Sequence, residues 1–354
     1  MRRGLMGWDK DELPVAALEA RLSRLRAGMD AAGMDAFIVY TNNVRPAAVT
    51  WITGFTPYWS DALLLVRKTG APAFATALSK RVSEWIRTTD PVSEIVNTPK
   101  PGEKIGERLK SDPLIRRVGI LEYDTLPAGL AYDLETAAPA VEWVDGTAMF
   151  AGLRREIDDA ERGLLARCNA IAEAALREAE TGKAQDAGTL AGLVEQNARL
   201  AGAEEAYVAV APDLDADMRL NRTSQPTPLV ERFAVRASIS YKGCWVRRIR
   251  TFVKDGAAAQ VDVWLDAITR SVVPDKPLAA QLADEVRELP GASLKAWTAE
   301  SSTGSYPLSA IASSRMAGSA SPVSGQFLVL TVELTLNGAS WIGAAPLVVG
   351  SAKL

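Results

Sequence analysis

The chain has no histidine in 354 residues. Histidine is the usual general base near neutral pH and the commonest ligand of a catalytic zinc. Its absence excludes Ser-His and Cys-His nucleophilic catalysis and every histidine-ligated metal site. A serine-lysine hydrolase needs no histidine, but no Ser-x-x-Lys tetrapeptide occurs. Cysteine is nearly as scarce: Cys168 and Cys244 are the only two, and they lack metal-site spacing. They read as two buried or half-buried thiols. There is no apolar run near the ~20 residues that cross a bilayer, so no membrane span is expected. Basic residues are not in excess, with 40 Lys and Arg against 43 Asp and Glu. No nucleic-acid footprint is expected from that balance. The first residues, Met1 to Pro14, carry two arginines but no apolar core. They do not read as a secretory leader, and the expected location is the cytoplasm. Catalysis by carboxylate, lysine or tyrosine stays open.

What remains is an ordinary globular composition, 48% hydrophobic and 23% charged, in a chain long enough for two cores. Leu18, Leu22, Leu25 and Met29 recur at spacings of three and four and predict a helix from Ala16 to Ala32, stopped by Gly33. Short apolar runs at Ala36–Tyr40, Ala62–Val66, Ala73–Ala75 and Arg117–Leu121 predict buried strands, with helical stretches such as Lys80–Arg87 between them. Residues 1–150 therefore read as an α/β domain. The pattern then changes. A long helix is expected over Ala148–Thr181, broken near Glu156–Asp158, and a second over Ala187–Ala201. Strands follow at Tyr207–Val210, Phe233–Ser240, Val246–Val253, Phe327–Leu334 and Pro346–Val349. Residues 151–354 thus read as an α+β domain. The stretch between Val253 and Phe327 reads as less regular, and Ser301–Ser324, rich in Ser, Ala and Gly, as loop.

Four segments resemble the creatinase/aminopeptidase P family. Arg21-Leu22-x-x-Leu25-Arg26 with Gly33-Met34-Asp35-Ala36 is similar to its opening helix and strand. Trp51-Ile52-Thr53-Gly54-Phe55, running into Trp59-Ser60-Asp61-Ala62, is similar to its Y-L-T-G-F segment. Leu153 to Glu161 resembles the linker between the family's two domains. Tyr241-Lys242-Gly243-Cys244-Trp245 with Ile249-Arg250-Thr251-Phe252 resembles Y-x-G-Y-x-x-D-x-x-R-T-F. The resemblance implies a creatinase-like domain over 1–150 and a shortened pita-bread domain over 151–354. It also implies a chain that self-associates; Trp51, Phe55, Tyr58 and Trp59 offer an apolar surface suited to that contact, although aromatics at such density more often fill core and a subunit interface.

The same resemblance implies a metal site, and four of its five ligand positions have changed. The two bridging aspartates fall on Arg247 and, eleven positions earlier, on Arg236. The histidine region near Thr303–Leu308 has none. One glutamate survives as Glu333, and the other falls on Ala344. Arginine stays protonated and offers no lone pair. A divalent cation ~5 Å from one guanidinium would be repelled by roughly 6–7 kcal/mol at an effective dielectric of about 20. Creatinase itself works without metal but uses a histidine base, which is also missing here. No metal and no cofactor are expected.

Three functions follow from the resemblance. The first is a catalytically inactive pita-bread protein acting as a binding, regulatory or structural subunit, as a homodimer or with a related chain. A histone chaperone's peptidase-like domain shows the fold kept for protein binding. The second is a binder of a small carboxylate or other anion through Arg236 and Arg247, with Arg250 and Tyr241 nearby. The third is a metal-independent hydrolase or lyase with displaced chemistry among Tyr241, Lys242, Glu333, Asp255 and Tyr306. Arg236 and Arg247 should then share one strand face, and Glu333 should meet one guanidinium, since a buried arginine demands a partner. Elemental analysis of the untagged protein should find no stoichiometric Mn, Zn, Co or Fe. One metal ion per chain would contradict the ligand argument.

Overall fold

A computed structural model describes residues 8–57, 60–180, 184–253, 259–316, 321–351 and 354. The chain divides into two units, one of residues 2–160 and the other of residues 161–301 and 310–354; the short segment Ser302–Ser309 groups with the first.

The first unit opens with α1 (Val15–Ala31), one residue out of register with the predicted helix. Leu18, Leu22, Leu25 and Met29 are buried along one side of it. A six-stranded sheet follows in the order β4-β3-β2-β1-β5-β6. Its strands are β1 (Ala36–Thr41), β2 (Ala62–Arg67), β3 (Ala73–Thr76), β4 (Glu94–Asn97), β5 (Arg117–Ile120) and β6 (Glu142–Asp145). The sheet is mixed: β1 runs antiparallel to β2 and parallel to β5. Both faces of β1 are covered, which is why it reads as a continuous apolar run rather than an alternation. Phe37 and Val39 join the core that contains α1, α2 (Ala47–Thr53) and Phe150 of α6 (Thr147–Leu153). Ile38 and Tyr40 join a second core on the other face, with Ile105 and Leu109 of α4 (Pro101–Lys110) and Leu134 of α5 (Ala128–Ala137).

Trp51 and Phe55 are core residues, not a contact surface: they are 4% and 2% exposed. Trp51 packs edge-on against Phe150, with the guanidinium groups of Arg21, Arg24 and Arg154 around its ring. Phe55 meets Phe74 and Trp85. Tyr58 and Trp59 lie outside the described residues. Buried Arg21 is paired with Asp158, Nε to Oδ2 at 2.6 Å, and also donates to the Trp51 carbonyl. One ion pair therefore ties the opening helix to the linker segment that sequence reading had singled out separately.

The second unit begins with α7 (Asp159–Glu180) and α8 (Ala187–Leu200). Asp186 caps α8 by accepting from the Thr189 N–H at 2.8 Å. The expected break near Glu156–Asp158 is present, since α6 stops at Leu153 and α7 starts at Asp159. A seven-stranded sheet has the order β11-β10-β12-β13-β9-β8-β7. Its members are β7 (Glu205–Ala211), β8 (Arg232–Tyr241), β9 (Cys244–Val253), β10 (Ala292–Ser301), β11 (Ser309–Ser313), β12 (Phe327–Leu336) and β13 (Ala339–Val348). From β10 to β7 each neighbouring pair is antiparallel. The segment after Val253 is more regular than the sequence suggested: it holds α9 (Ala259–Ser271), α10 (Leu278–Arg287), β10 and β11. Leu328, Leu330, Val332 and Leu334 of β12 form the core with Leu265, Ile268 and Leu282 of these helices. Gly343 of β13 makes room for that packing, since a Cβ there would lie 2.8 Å from Leu265 Cδ2. Among the described residues no helix is long and apolar enough to cross a membrane.

Asp90 closes α3 (Lys80–Thr89) and is 2% exposed. Its Oδ1 accepts from the N–H groups of Val92 and Ser93, yet burial pushes its carboxyl from 3.8 up to about 6. Between those two values the folded chain keeps a proton that the unfolded chain has released. Stability therefore falls as pH rises through that window, and the loss is complete above it, about 3 kcal/mol at most. Asp90→Asn keeps the accepting oxygen and removes the charge. It should melt higher than wild type at pH 7.5 and like wild type near pH 4. An equal difference at both pH values would assign the effect to something other than titration.

Candidate functional site

The β8–β9 hairpin turns through Lys242 and Gly243, both at positive φ (45° and 75°). A two-residue turn of that handedness matches the twist of the strands it joins. It sets the register: Ser238 lies opposite Arg247, and Arg236 opposite Ile249. Directly opposed residues share a face, and residues two apart on a strand share a face. Arg236, Ser238, Ser240, Trp245, Arg247 and Ile249 therefore line one side of the hairpin. Val235, Ala237, Ile239, Tyr241, Cys244, Val246, Arg248 and Arg250 line the other.

Pairing across the sheet carries the first face onward. Tyr207 is opposite Ser238 and Ala209 opposite Arg236. Ala344 is opposite Ile249, Thr331 opposite Ala344, and Glu300 opposite Val329. Arg236, Arg247, Ala344, Glu333 and Glu300 all belong to this face. On it, Arg247 Nε donates to Ser238 Oγ at 3.2 Å, and Arg247 Nη1 donates to Glu300. Glu300 is 9% exposed. Arg236 makes no ion pair among the described residues, and its buried Nε has no hydrogen-bond partner. Burial lowers its pKa first and the neighbouring Arg247 charge second, with Glu300 opposing them. Tyr207 and Trp245 stack beside the pair, with ring centroids 5.6 Å apart. The Arg222 guanidinium lies over the Tyr207 ring at 4.9 Å.

Glu333 is not the carboxylate that meets an arginine; Glu300 is. Register explains the correction. Glu333 is opposite Ile342, whose N–H and C=O both engage Thr251 Oγ1. It therefore lies on one side of the row that runs through Thr331, Ala344, Ile249 and Arg236. Arg247, two residues from Ile249 in the other direction, lies on the far side with Val329 and Glu300. The sequence carried a signal for Glu300: Ala296, Thr298 and Glu300 alternate with Trp297, Ala299 and Ser301, a strand pattern inside a stretch read as irregular.

Arg250 and Tyr241 are not part of this group, because alternation sends both to the opposite face. There Arg250 pairs with Glu180 at 2.8 Å and lies 3.8 Å from Asp262. Arg248 meets Glu173 at 2.6 Å, Asp266 at 3.7 Å and Asn169 Oδ1 at 2.6 Å. Burial raises the Asp262 carboxyl to about 6, with Arg250 opposing it. The Tyr241 ring carries Arg167 and Lys242 at 6.0 and 5.8 Å. Buried Cys168 donates its S–H to the Ile239 carbonyl on the same helix-covered side, and both cysteines are free thiols. Tyr306 accepts from Arg45 Nε at 3.0 Å within the first unit. Asp255 lies outside the described residues.

Two guanidinium groups, an alanine and two carboxylates in separate rows do not make a donor set for a divalent metal. Among the described residues no three His, Cys, Asp or Glu come together as ligands.

A seven-stranded antiparallel sheet backed by helices, following a mixed α/β unit, defines a two-part pita-bread architecture. Residues 21–155 match the Creatinase/Prolidase N-terminal domain family. A prolidase from Pyrococcus horikoshii superposes with a TM-score of 0.69 at 13% identity, covering 94% of this chain and 96% of that one. An X-Pro aminopeptidase from Thermotoga maritima gives 0.70 at 15%, covering 94% and 95%. The N-terminal domain of a FACT complex subunit from Cicer arietinum gives 0.62 at 12%, covering 94% of each. No curated protein matches the chain significantly in sequence. The first domain is thus a Creatinase/Prolidase N-terminal domain, and the chain as a whole shares the fold of prolidases and X-Pro aminopeptidases.

The pairing on this face is open to a direct check. Glu300→Gln should lower stability by roughly 1–3 kcal/mol, because two half-buried guanidinium groups lose their nearest carboxylate. Glu333→Gln should change it by less than about 0.5 kcal/mol. Chemical denaturation of both variants gives the comparison; a larger loss at Glu333 would restore it as the partner.

Proposed function

We propose that this chain is a catalytically inactive pita-bread protein that works as a binding, regulatory or structural subunit, either self-associated or paired with a related active chain. One observation carries the reading: Arg236 and Arg247, at the positions where the resemblance puts the two bridging aspartates, share a face in a chain with no histidine. Two guanidinium groups repel the cation that the two carboxylates would have bound. Without a metal hydroxide, hydrolysis at this face needs a general base. Glu333 is the remaining family carboxylate, and it stands in a different row from both arginines. The fold match to a subunit of the FACT complex supports assembly as the retained role.

The test is turnover. Purified protein supplied with Mn, Co or Zn should hydrolyse no Xaa-Pro dipeptide above the blank. The double variant Arg236→Asp, Arg247→Asp should stay inactive, because neither histidine nor a carboxylate at Ala344 is restored. Light scattering should report a dimer, or a second chain should co-purify. Peptide hydrolysis lost on Glu333→Gln or Tyr241→Phe would overturn the reading, and a lone monomer would remove its assembly half.

A further inference from the structure

On the sheet face just described, one of the two arginines has no carboxylate partner among the described residues. Arg247 is satisfied by Glu300 and Ser238. Arg236 is not: its Nε is buried without a hydrogen-bond partner, and no described carboxylate pairs with it. The field on Arg236 comes from Arg247 and Arg222 on one side of the balance and Glu300 on the other. Three guanidinium groups thus act on one region, and Glu300 is the carboxylate whose charge opposes them at Arg236. Removing a guanidinium from water without a partner is costly, and close-set like charges add to the cost. A surface arginine avoids both by swinging into solvent. Arg236 is less free to do so, since it stands on β8 between its cross-strand neighbours Ala209 of β7 and Ile249 of β9, with its Nε buried. The helix-covered face of the same hairpin shows the contrast: Arg248 and Arg250 each have carboxylate partners.

We propose that the Arg236–Arg247 face is a binding site for an oxyanion, a carboxylate or phosphate group, held by Arg236 with Arg247 beside it and Arg222 as an outer arm. The guanidinium fork presents parallel N–H donors to two oxygens, which suits both groups equally. Ser238 Oγ, already fixed by Arg247 Nε, is placed between the two arginines by its register. The stacked Tyr207 and Trp245 rings wall the site on the turn side, and Arg222 lies over Tyr207 at 4.9 Å, within reach of the same ligand. The site builds on the reading that this face no longer serves a metal, and it gives the inactive subunit a ligand chemistry.

The probes are inorganic phosphate and succinate, each compared with sodium chloride at the same ionic strength, using the full chain. Calorimetric titration and thermal melting should show saturable binding and a raised melting temperature with phosphate, succinate or both. Phosphate alone would assign a phosphate ligand, and succinate alone a carboxylate. Arg236→Leu should abolish the anion-induced shift while melting higher than wild type in chloride, because an unpaired charge has gone. Arg222→Gln, at an exposed position, should fold normally and weaken binding about tenfold, the loss of one charge-assisted hydrogen bond. Arg108→Gln, which breaks a surface pair with Glu94 in the first unit, should leave binding unchanged. Equal melting in chloride and in both probes, a shift that survives Arg236→Leu, or an unaltered affinity in Arg222→Gln would each overturn the site. A protein that binds neither probe and hydrolyses nothing loses this site alone. One that binds a probe and also cleaves Xaa-Pro dipeptides keeps the site and loses the inactive reading.

Discussion

Everything that distinguishes this chain follows from the register of one hairpin. The Lys242–Gly243 turn places Ser238 opposite Arg247. From that pairing, strict alternation sends Arg236 and Arg247 to one side and Arg248 and Arg250 to the other. A slip of one residue would exchange the two sets. The cost of such a slip is visible in the partners. Arg248 and Arg250 sit among Glu173, Glu180, Asp262 and Asp266, carried by α7 and α9. Swapping the faces would leave those four carboxylates against Ser238 and Ile249 and push Ile239 and Val246 out of the core. The ion network on the helix side therefore fixes which arginines face outward.

The two faces also differ in what they demand of their residues. On the helix side, Leu328, Leu330, Val332 and Leu334 pack against Leu265, Ile268 and Leu282, and a Cβ at position 343 would collide with Leu265. Close packing there leaves little freedom. On the other face the same strands show Thr331, Glu333, Ala344, Arg236 and Arg247, none of which belongs to that core. A residue there can change its chemistry without changing the fold. This asymmetry lets a sheet of this kind vary the residues of one face and keep its architecture, here at 13–15% identity with a prolidase and an X-Pro aminopeptidase.

The fold was legible where one periodicity dominates. The stripe of Leu18, Leu22, Leu25 and Met29 gave α1 almost to the residue, and the apolar runs of β1, β2, β8 and β12 gave the strands that build both sheets. The shared face of Arg236 and Arg247 was readable from alternation and the turn alone. Three things were not. The amphipathic helices α9 and α10 and the strand β10 lie in a stretch without strong caps or long apolar runs, and their order comes from packing on the sheet. Glu300 was hidden with them, since its role depends on which strand lies beside which, and sequence spacing does not encode that. Trp51 and Phe55 read as a contact surface because aromatic density marks cores and interfaces alike; only their burial separates the two.

Why should Arg247 reach Glu300 on β10 when Glu333 stands on β12, a strand nearer to it in the sheet? Distance within a sheet is counted in rows and columns, and side chains on one face meet most readily along a row. Glu333 shares its row with Ile342 and Thr251, where the Thr251 hydroxyl replaces a ladder bond between β13 and β9. Arg247 belongs two rows away. A short carboxylate cannot cross two rows, whereas a long guanidinium can follow its own row over smaller residues to Glu300. Arg236 occupies the row between them, with Thr331, Ala344 and Ile249, and none of those three carries a charge. With aspartate in its place and glutamate at Ala344, that row would be acidic. With arginine and alanine it is cationic and uncompensated. Ala344 therefore matters as much as Arg236 itself: a glutamate at that position would put a carboxylate in the row of Arg236, and alanine leaves the row without one.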